Sequence, residues 1–285
     1  MRWKKLFTIA ALVLVVMIAA VYVILLNLDF NRYKPQIARL VYDATGRELT
    51  IGGNIDIGLG LRPTLIAEDV GLENAPWGAQ PELARVKRME VQLAFLPLIW
   101  GELDFARLVL IEPEVIVEFD SAGTSNFSFG PPSEEKTESA IPPPPLVFSS
   151  LRIEKGLFTY QDPRSDLKFS VRIDRLGAEI PGFDKPLQLD FEGAFDDKPF
   201  TLKGTVGPIW AWVEPGYSLP ANLTATSGGA TATIIGELRD PTNLKGLAFD
   251  ISAQGSSVAE IAKLAGLSGI PELGAFKLAA MVSDT

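Results

Sequence analysis

The chain has 285 residues, 47% hydrophobic and 21% charged, enough for a membrane anchor and one or two regions that each bury a core. Its 26 lysines and arginines face 35 acidic residues for a net charge of -9, and no basic run follows the first five residues, so nucleic acid is excluded as a partner. The absence of histidine and cysteine removes Ser-His-Asp and Cys-His catalysis, the common zinc sites, disulfides, and haem or iron–sulfur ligation through those residues. No enzymatic activity, catalytic residue, cofactor or metal site is expected.

Residues Leu6 to Leu26 form an uncharged run of 21 residues, which as a helix spans roughly the 30 Å hydrocarbon core of a bilayer. Fourteen of them are Leu, Ile, Val or Phe, and on an insertion scale these supply roughly -4 to -8 kcal/mol. A cleaved signal peptide has a shorter apolar stretch and a small-residue cleavage site. This run instead ends in Tyr22-Val23-Ile24-Leu25-Leu26, which predicts an uncleaved anchor. Arg2, Lys4 and Lys5 are denser than Arg32, Lys34 and Arg39 on the other side, placing the N-terminus in the cytoplasm and the bulk outside.

Beyond the anchor, Tyr33, Ile37, Leu40, Val41 and Ala44 share one helical face, Pro35 suits a first turn and Gly46 a stop, predicting a short amphipathic helix. From Glu48 onward the period becomes two, in segments near 48–58, 63–72, 85–95, 102–111 and 114–120. The stretch LPLIWG, Leu96 to Gly101, reads as a turn or a single helical turn. Residues Gly130 to Pro145 hold six of the 21 prolines and predict an extended linker between two β-rich regions, 27–129 and 146–285. Strands resume near 146–154, 157–161, 167–175, 187–195, 199–206, 219–226, 230–238 and 244–254, and a second short helix is expected from Ser257 to Ala265. Ala275 to Val282 is strand-like and ends near the last residue, so the second region is expected to be incomplete there. Gly193, Gly204, Gly236 and Gly246 recur in similar apolar surroundings, as in a repeated two-strand unit.

In LQLDFEGAF, Leu187, Leu189, Phe191 and Phe195 point one way while Gln188, Asp190 and Glu192 point the other, and Phe200 and Leu202 continue the apolar face in the next strand. Leaving Leu187, Leu189, Phe191, Phe200 and Leu202 in water forfeits roughly 8–15 kcal/mol, comparable with the stability of a whole domain. The cover is a second sheet, a curved sheet folding over itself, or a bound apolar ligand. Alternation alone does not choose among them.

Other constellations carry less chemistry. Glu114, Glu118 and Asp120 lie on one side of a strand, as a glycosidase pair would, although a solvated strand face explains them as well. Gly52, Gly53, Gly58 and Gly60 lack the Gly-Lys-Ser/Thr of a phosphate loop. Arg85, Lys87 and Arg88 are candidate contacts for anionic lipid headgroups, or simply a wet strand face. Trp210, Trp212 and Tyr217 fit a core plug, a groove end or a membrane contact.

Three segments, TGRELTIGGNIDI (Thr45 to Ile57), EDVGLENAPWG (Glu68 to Gly78) and RVKRMEVQLAFLPLIWGELDFARLVLIEPEVIVEFDSAGTSNFSF (Arg85 to Phe129), together with the anchor and helix before them, resemble the N-terminal region of the AsmA family. LRIEKGLFTYQD (Leu151 to Asp162) and the glycine-marked hairpins are similar to the region after a proline-rich insert in that family. Where its members often have Asn-Trp, this chain has Asn126-Phe127. The resemblance implies a mainly β protein, an elongated twisted antiparallel sheet or groove behind a transmembrane helix, anchored in the bacterial inner membrane and projecting into the periplasm. It implies a role in outer-membrane biogenesis and similarity to chorein-type bridge-like lipid-transfer proteins. The expected partners are the lipid bilayer, phospholipid as transported ligand, and outer-membrane or periplasmic assembly proteins. The expected lining is Leu187, Leu189, Phe191, Phe200 and Leu202, and Phe191→Asp is expected to empty the groove without unfolding it. The alternative is a non-enzymatic anchored scaffold or assembly factor for outer-membrane proteins, with self-packed sheets.

Overall fold

The computed structural model describes residues 12, 13, 16, 29–58, 63–93, 105–129, 148–165, 167–182, 185–208, 217–241, 245–258 and 274–284. Leu12, Val13 and Val16 are helical and exposed; the rest of the expected anchor lies outside the described residues, among which no helix is long and apolar enough to cross a membrane. The stretch LPLIWG, the proline-rich segment, Trp210, Trp212 and, beyond Val258, the expected second helix also lie outside them.

The first regular structure is a 3-10 turn, Phe30–Tyr33, opened by Asp29, whose carboxylate accepts from the Asn31 amide at 3.0 Å. Helix α1, Lys34–Thr45, follows with Pro35 in its first turn and stops at Gly46, which takes φ 70° and closes on Tyr42 O. The helix is tied to the sheet by Lys34 Nζ donating to Gly53 O at 2.6 Å, and the preceding turn by the Ile55 amide donating to Asn31 Oδ1 at 3.0 Å.

Among the described residues thirteen strands make one sheet: β1 Leu49–Ile51, β2 Ile55–Gly58, β3 Thr64–Glu73, β4 Glu82–Leu93, β5 Phe105–Glu118, β6 Phe148–Asp162, β7 Leu167–Glu179, β8 Leu187–Phe195, β9 Lys198–Val206, β10 Leu219–Ser227, β11 Ala230–Asp240, β12 Lys245–Gly255 and β13 Phe276–Ser283. From β3 onward each strand pairs with its neighbour in sequence, antiparallel except for β5 and β6, while β1 and β2 both lie against β3. β5 and β6 flank the proline-rich segment and run parallel over Phe105 to Glu118, so the sheet continues across that segment without a break. Two-residue turns with positive φ, Asp196-Asp197 and Gly228-Gly229, close the β8–β9 and β10–β11 hairpins.

Several strand boundaries differ from the alternation pattern. The expected strands 102–111 and 114–120 are one strand, β5, and 146–154 with 157–161 are one strand, β6. The cause is a row of irregular positions crossing five neighbouring strands at one level: Asp69, Lys87, Glu112, Lys155 and Asp174. Asp69, Glu112 and Lys155 take φ near 50°, and the pleat changes phase there, so that in β3 the apolar face is carried by Leu65 and Ala67 before the row and by Val70 and Leu72 after it. Between β7 and β8 the row ends as a one-residue register shift at Asp174. Conversely, the expected strand 48–58 is split at Gly52-Gly53, where the approach of Glu68 leaves no room for a side chain on Gly53.

A layered core is absent among the described residues. The eleven buried apolar side chains are scattered from Ile55 to Leu238, and of these only Leu219 and Leu238 form a cluster, packed against Val206, Leu247 and Phe249. One open sheet forms where two packed sheets were the alternative.

Candidate functional site

The strand registers determine which side chains share a face. In the second half, Leu176 stands beside Phe191, Phe191 beside Leu202, Leu202 beside Ala225 and Ala225 beside Ala232, with Ala253 and Leu278 completing the row to β13. In the first half, Ile57, Leu65, Val91, Leu108 and Leu151 form an equivalent row that passes through Ala178 to Leu189. All of these lie on one side of the sheet, because residues paired across strands project together. An apolar face therefore crosses every strand, and at about 4.8 Å per strand it extends about 50 Å along the stacking direction.

All five expected lining residues are on this face: Leu187 opposite Val206, Leu189 opposite Gly204, Phe191 opposite Leu202, and Phe200 opposite Gly193. Four are half-buried, but Phe191 is only 7% exposed, stacked on Phe200 at 4.8 Å between ring centroids. Gly193 makes this possible, since any side chain there would run into Arg172 O and the Phe191 ring. One end of the face carries an aromatic row: Phe119 to Tyr160 at 5.7 Å, Tyr160 to Phe169 at 5.1 Å and Phe169 to Phe195 at 5.5 Å. Arg164 sits 5.3 Å over Phe119 and forks onto Asp162 at 3.0 and 2.9 Å. That hydrogen bond, aided by the Arg164 amide, holds the Asp162 carboxyl below its usual value.

The opposite face is polar and densely ion-paired. Arg85 meets Asp69 at 2.7 Å, Lys87 meets Glu112 at 2.8 Å, and Arg88 meets Glu90 at 2.7 Å and Glu68 at 3.3 Å, so all three candidate headgroup contacts have carboxylate partners within the chain. The Asp69 hydrogen bond raises Arg85 above its ordinary value, the Glu90 hydrogen bond raises Arg88, and the Lys87 hydrogen bond lowers Glu112. Toward the last strands this face turns apolar, with Ile235 and Met281 exposed beside Asp250.

The three carboxylates of the EVIVEFD segment do not form a catalytic pair. Glu114 is exposed, Asp120 caps its own turn through the Ala122 and Thr124 amides, and Glu118 is buried. Glu118 belongs to a network that alternation does not reveal: its Oε2 accepts from Asn74 Nδ2 at 3.1 Å and from the Ala79 amide at 3.0 Å. Asn126, fully buried at 0% exposure, accepts from the Glu118 amide at 3.0 Å and donates to Asn74 Oδ1 at 3.0 Å and Ile116 O at 2.9 Å. The network ties loops 74–81 and 119–129 together at one end of β5. Its sequence signal is two asparagines 52 residues apart in the Asn-Ala-Pro-Trp-Gly and Ser-Asn-Phe segments.

The AsmA family model matches residues 1–206 of the 285. The chain belongs to the AsmA family. A relative within it is the AsmA family protein YhjG of Escherichia coli (strain K12), 22% identical over 280 residues, an alignment that covers 88% of this chain and 41% of YhjG. The chain thus spans less than half the length of that relative. The AsmA family is associated with biogenesis of the envelope and outer membrane, and the open sheet with one apolar face is the form this AsmA chain gives to the loose apolar pattern of its sequence.

Proposed function

We propose that this AsmA-family protein is held in the bacterial inner membrane by residues 6–26, N-terminus in the cytoplasm, and uses the apolar face of its periplasmic sheet to carry phospholipid acyl chains toward the outer membrane. The observation that carries this reading is the unbroken apolar face across all thirteen strands, with no second sheet among the described residues to cover it. Apolar side chains that remain half in water forgo part of the roughly 25 cal/mol per Å² that burial returns, and an acyl chain lying on them recovers it. Headgroups stay in water at the open side, and no bond is made or broken. The face runs along the stacking direction, so a chain passes from strand to strand over similar side chains and meets no deep well that would trap it.

The test is photo-crosslinking in cells, with a benzophenone amino acid placed on either face of the same strands. Capture of phospholipid at Leu189, Leu202 and Leu223, but not at Gln188, Lys203 and Asn222, is expected. These pairs are preferable to Phe191→Asp, because Phe191 is buried under Phe200 and its loss perturbs packing as well as any ligand. Equal capture on both faces, or protein adducts in place of lipid on the apolar face, refutes the conduit and favours a scaffold.

A further inference from the structure

We propose that the polar face carries a binding site for a phosphate ester, anchored by Arg107. The site lies on the side of the sheet away from the acyl-chain face and does not depend on that reading. Every other arginine in the described strands has a carboxylate oxygen within 4.0 Å. Arg107 has none among the described residues, and its Nε is buried without a hydrogen-bond partner. A buried guanidinium N–H left unpaired is destabilising, and an anion supplied from outside relieves it.

The surroundings leave room for one. Arg107 lines a hollow of about 520 Å³ over β5 to β9 and a second of about 300 Å³ over β3 to β6, so it stands where the two meet. The larger volume lies in the range of small-ligand sites, about 300–1,000 Å³. Its floor is open because Gly177 has no side chain: a Cβ there would have only Asp190 O within 4 Å, at 4.0 Å. Of the other cations around it, Arg152 is held by Glu154 at 2.6 Å, Arg175 by Glu192 at 3.6 Å and Lys203 by Asp190 at 3.1 Å, and the lining also holds Glu179 and Asp190, whose Oδ1 accepts no hydrogen bond. Those charges are compensated, and the uncompensated one is Arg107. A guanidinium presents a planar fork that matches two oxygens of a phosphate group. The phosphate ester comes either from a soluble molecule or from a lipid headgroup.

The test uses the full chain in nonionic detergent, titrated separately with inorganic phosphate, with glycerol 3-phosphate and with dispersed phosphatidylglycerol. Saturable binding is expected to weaken at least ten-fold in Arg107→Gln and in Gly177→Met, which fills the hollow and leaves every charge in place. Arg239→Gln, a polar-face arginine outside the hollow, is expected to bind as the parent does. Binding of the two soluble probes identifies a soluble source; binding of phosphatidylglycerol alone, with the same dependence on the variants, identifies a headgroup. If Arg107→Gln fails to fold, Gly177→Met decides. No binding of any probe to the parent protein, or undiminished binding to Gly177→Met, overturns the proposal. Lipid capture at Leu189 and Leu223 is expected to persist in Gly177→Met, so the failure of one reading is distinguishable from the failure of the other.

Discussion

Asn126→Ala tests what holds one end of the sheet closed. The substitution deletes one accepted and two donated hydrogen bonds and leaves the Glu118 amide and an Ile116 carbonyl lone pair without their side-chain partner in a site at 0% exposure. Each buried group left unsatisfied costs about 1–3 kcal/mol, and compensation by entering water reduces the total, so a loss of about 2–5 kcal/mol of local stability is expected. Because the described residues form no layered core, that loss is read locally by hydrogen exchange and mass spectrometry on the full chain. At about 1.4 kcal/mol per factor of ten, exchange in the peptide spanning Ile116 to Glu118 is expected to quicken roughly 30-fold to several thousand-fold. Asn126→Asp keeps an acceptor for the Glu118 amide but turns a carboxylate oxygen toward Asn74 Oδ1 and Ile116 O, and is expected to loosen the site at least as much. Protection within about three-fold of the parent in Asn126→Ala refutes the reasoning, since three such bonds cannot be lost at a buried site for under about 1 kcal/mol.

The same geometry sets two other outcomes. Asp162, depressed first by its hydrogen bond to Arg164, contributes stability that is complete above its ordinary carboxyl value of 3.8 and is lost as pH falls through the lower folded value; carboxyl NMR is expected to find Asp162 below 3.8 in the parent and returned toward it in Arg164→Ala, and a parent titration at or above 3.8 contradicts the pairing. Gly193→Ala is expected to cost about 1–3 kcal/mol by driving a methyl into Arg172 O and the Phe191 ring, whereas Gly177→Ala, with open space above it, is expected to be near neutral in the same urea titration; equal effects would show that the close approach at Gly193 is not what lets Phe191 bury against Phe200.

The parts of the sheet that are legible in the sequence are those where alternation is unbroken. β8 and β9 match their expected bounds nearly to the residue and share the expected apolar face, because Leu187 to Phe195 and Lys198 to Val206 each keep one pleat phase. β5 and β6 read as two pieces each because Glu112 and Lys155 reset the phase, and Pro113 and Gly156 then look like breaks although each strand runs on through them. The reset is legible only when neighbouring strands are aligned, since it is a property of the row from Asp69 to Asp174 and of no single strand. The five lining residues emerge from one hairpin, but their extension into a face crossing every strand depends on strand order, which alternation does not encode. Burial of Phe191 escapes the sequence for the same reason: it needs Gly193 opposite Phe200. Asn126 reads locally only as half of an Asn-Phe pair, while its partner Asn74 lies 52 residues away.

A sheet built this way obtains its stability within its own plane, from long ladders between sequence neighbours, side-chain contacts along each row, and ion pairs on the polar face. That distribution has a consequence for the apolar face. In a layered domain an apolar face is covered by another part of the same chain, and exposing it would unfold the domain. Here neighbouring rows bury a few side chains such as Phe191 and leave most of the rest half in water, so the face stays available while the backbone pairing stands. A contiguous apolar surface some 50 Å long exceeds what soluble monomers leave in water, and at the β13 end it includes Leu278 at 54% exposure. Such a surface is a liability unless something apolar occupies it. The acyl-chain occupant proposed above fits that requirement in principle, since a long row of half-buried side chains suits a linear, mobile ligand better than a globular partner, which would need the deep, fully desolvated anchor pockets typical of tight interfaces.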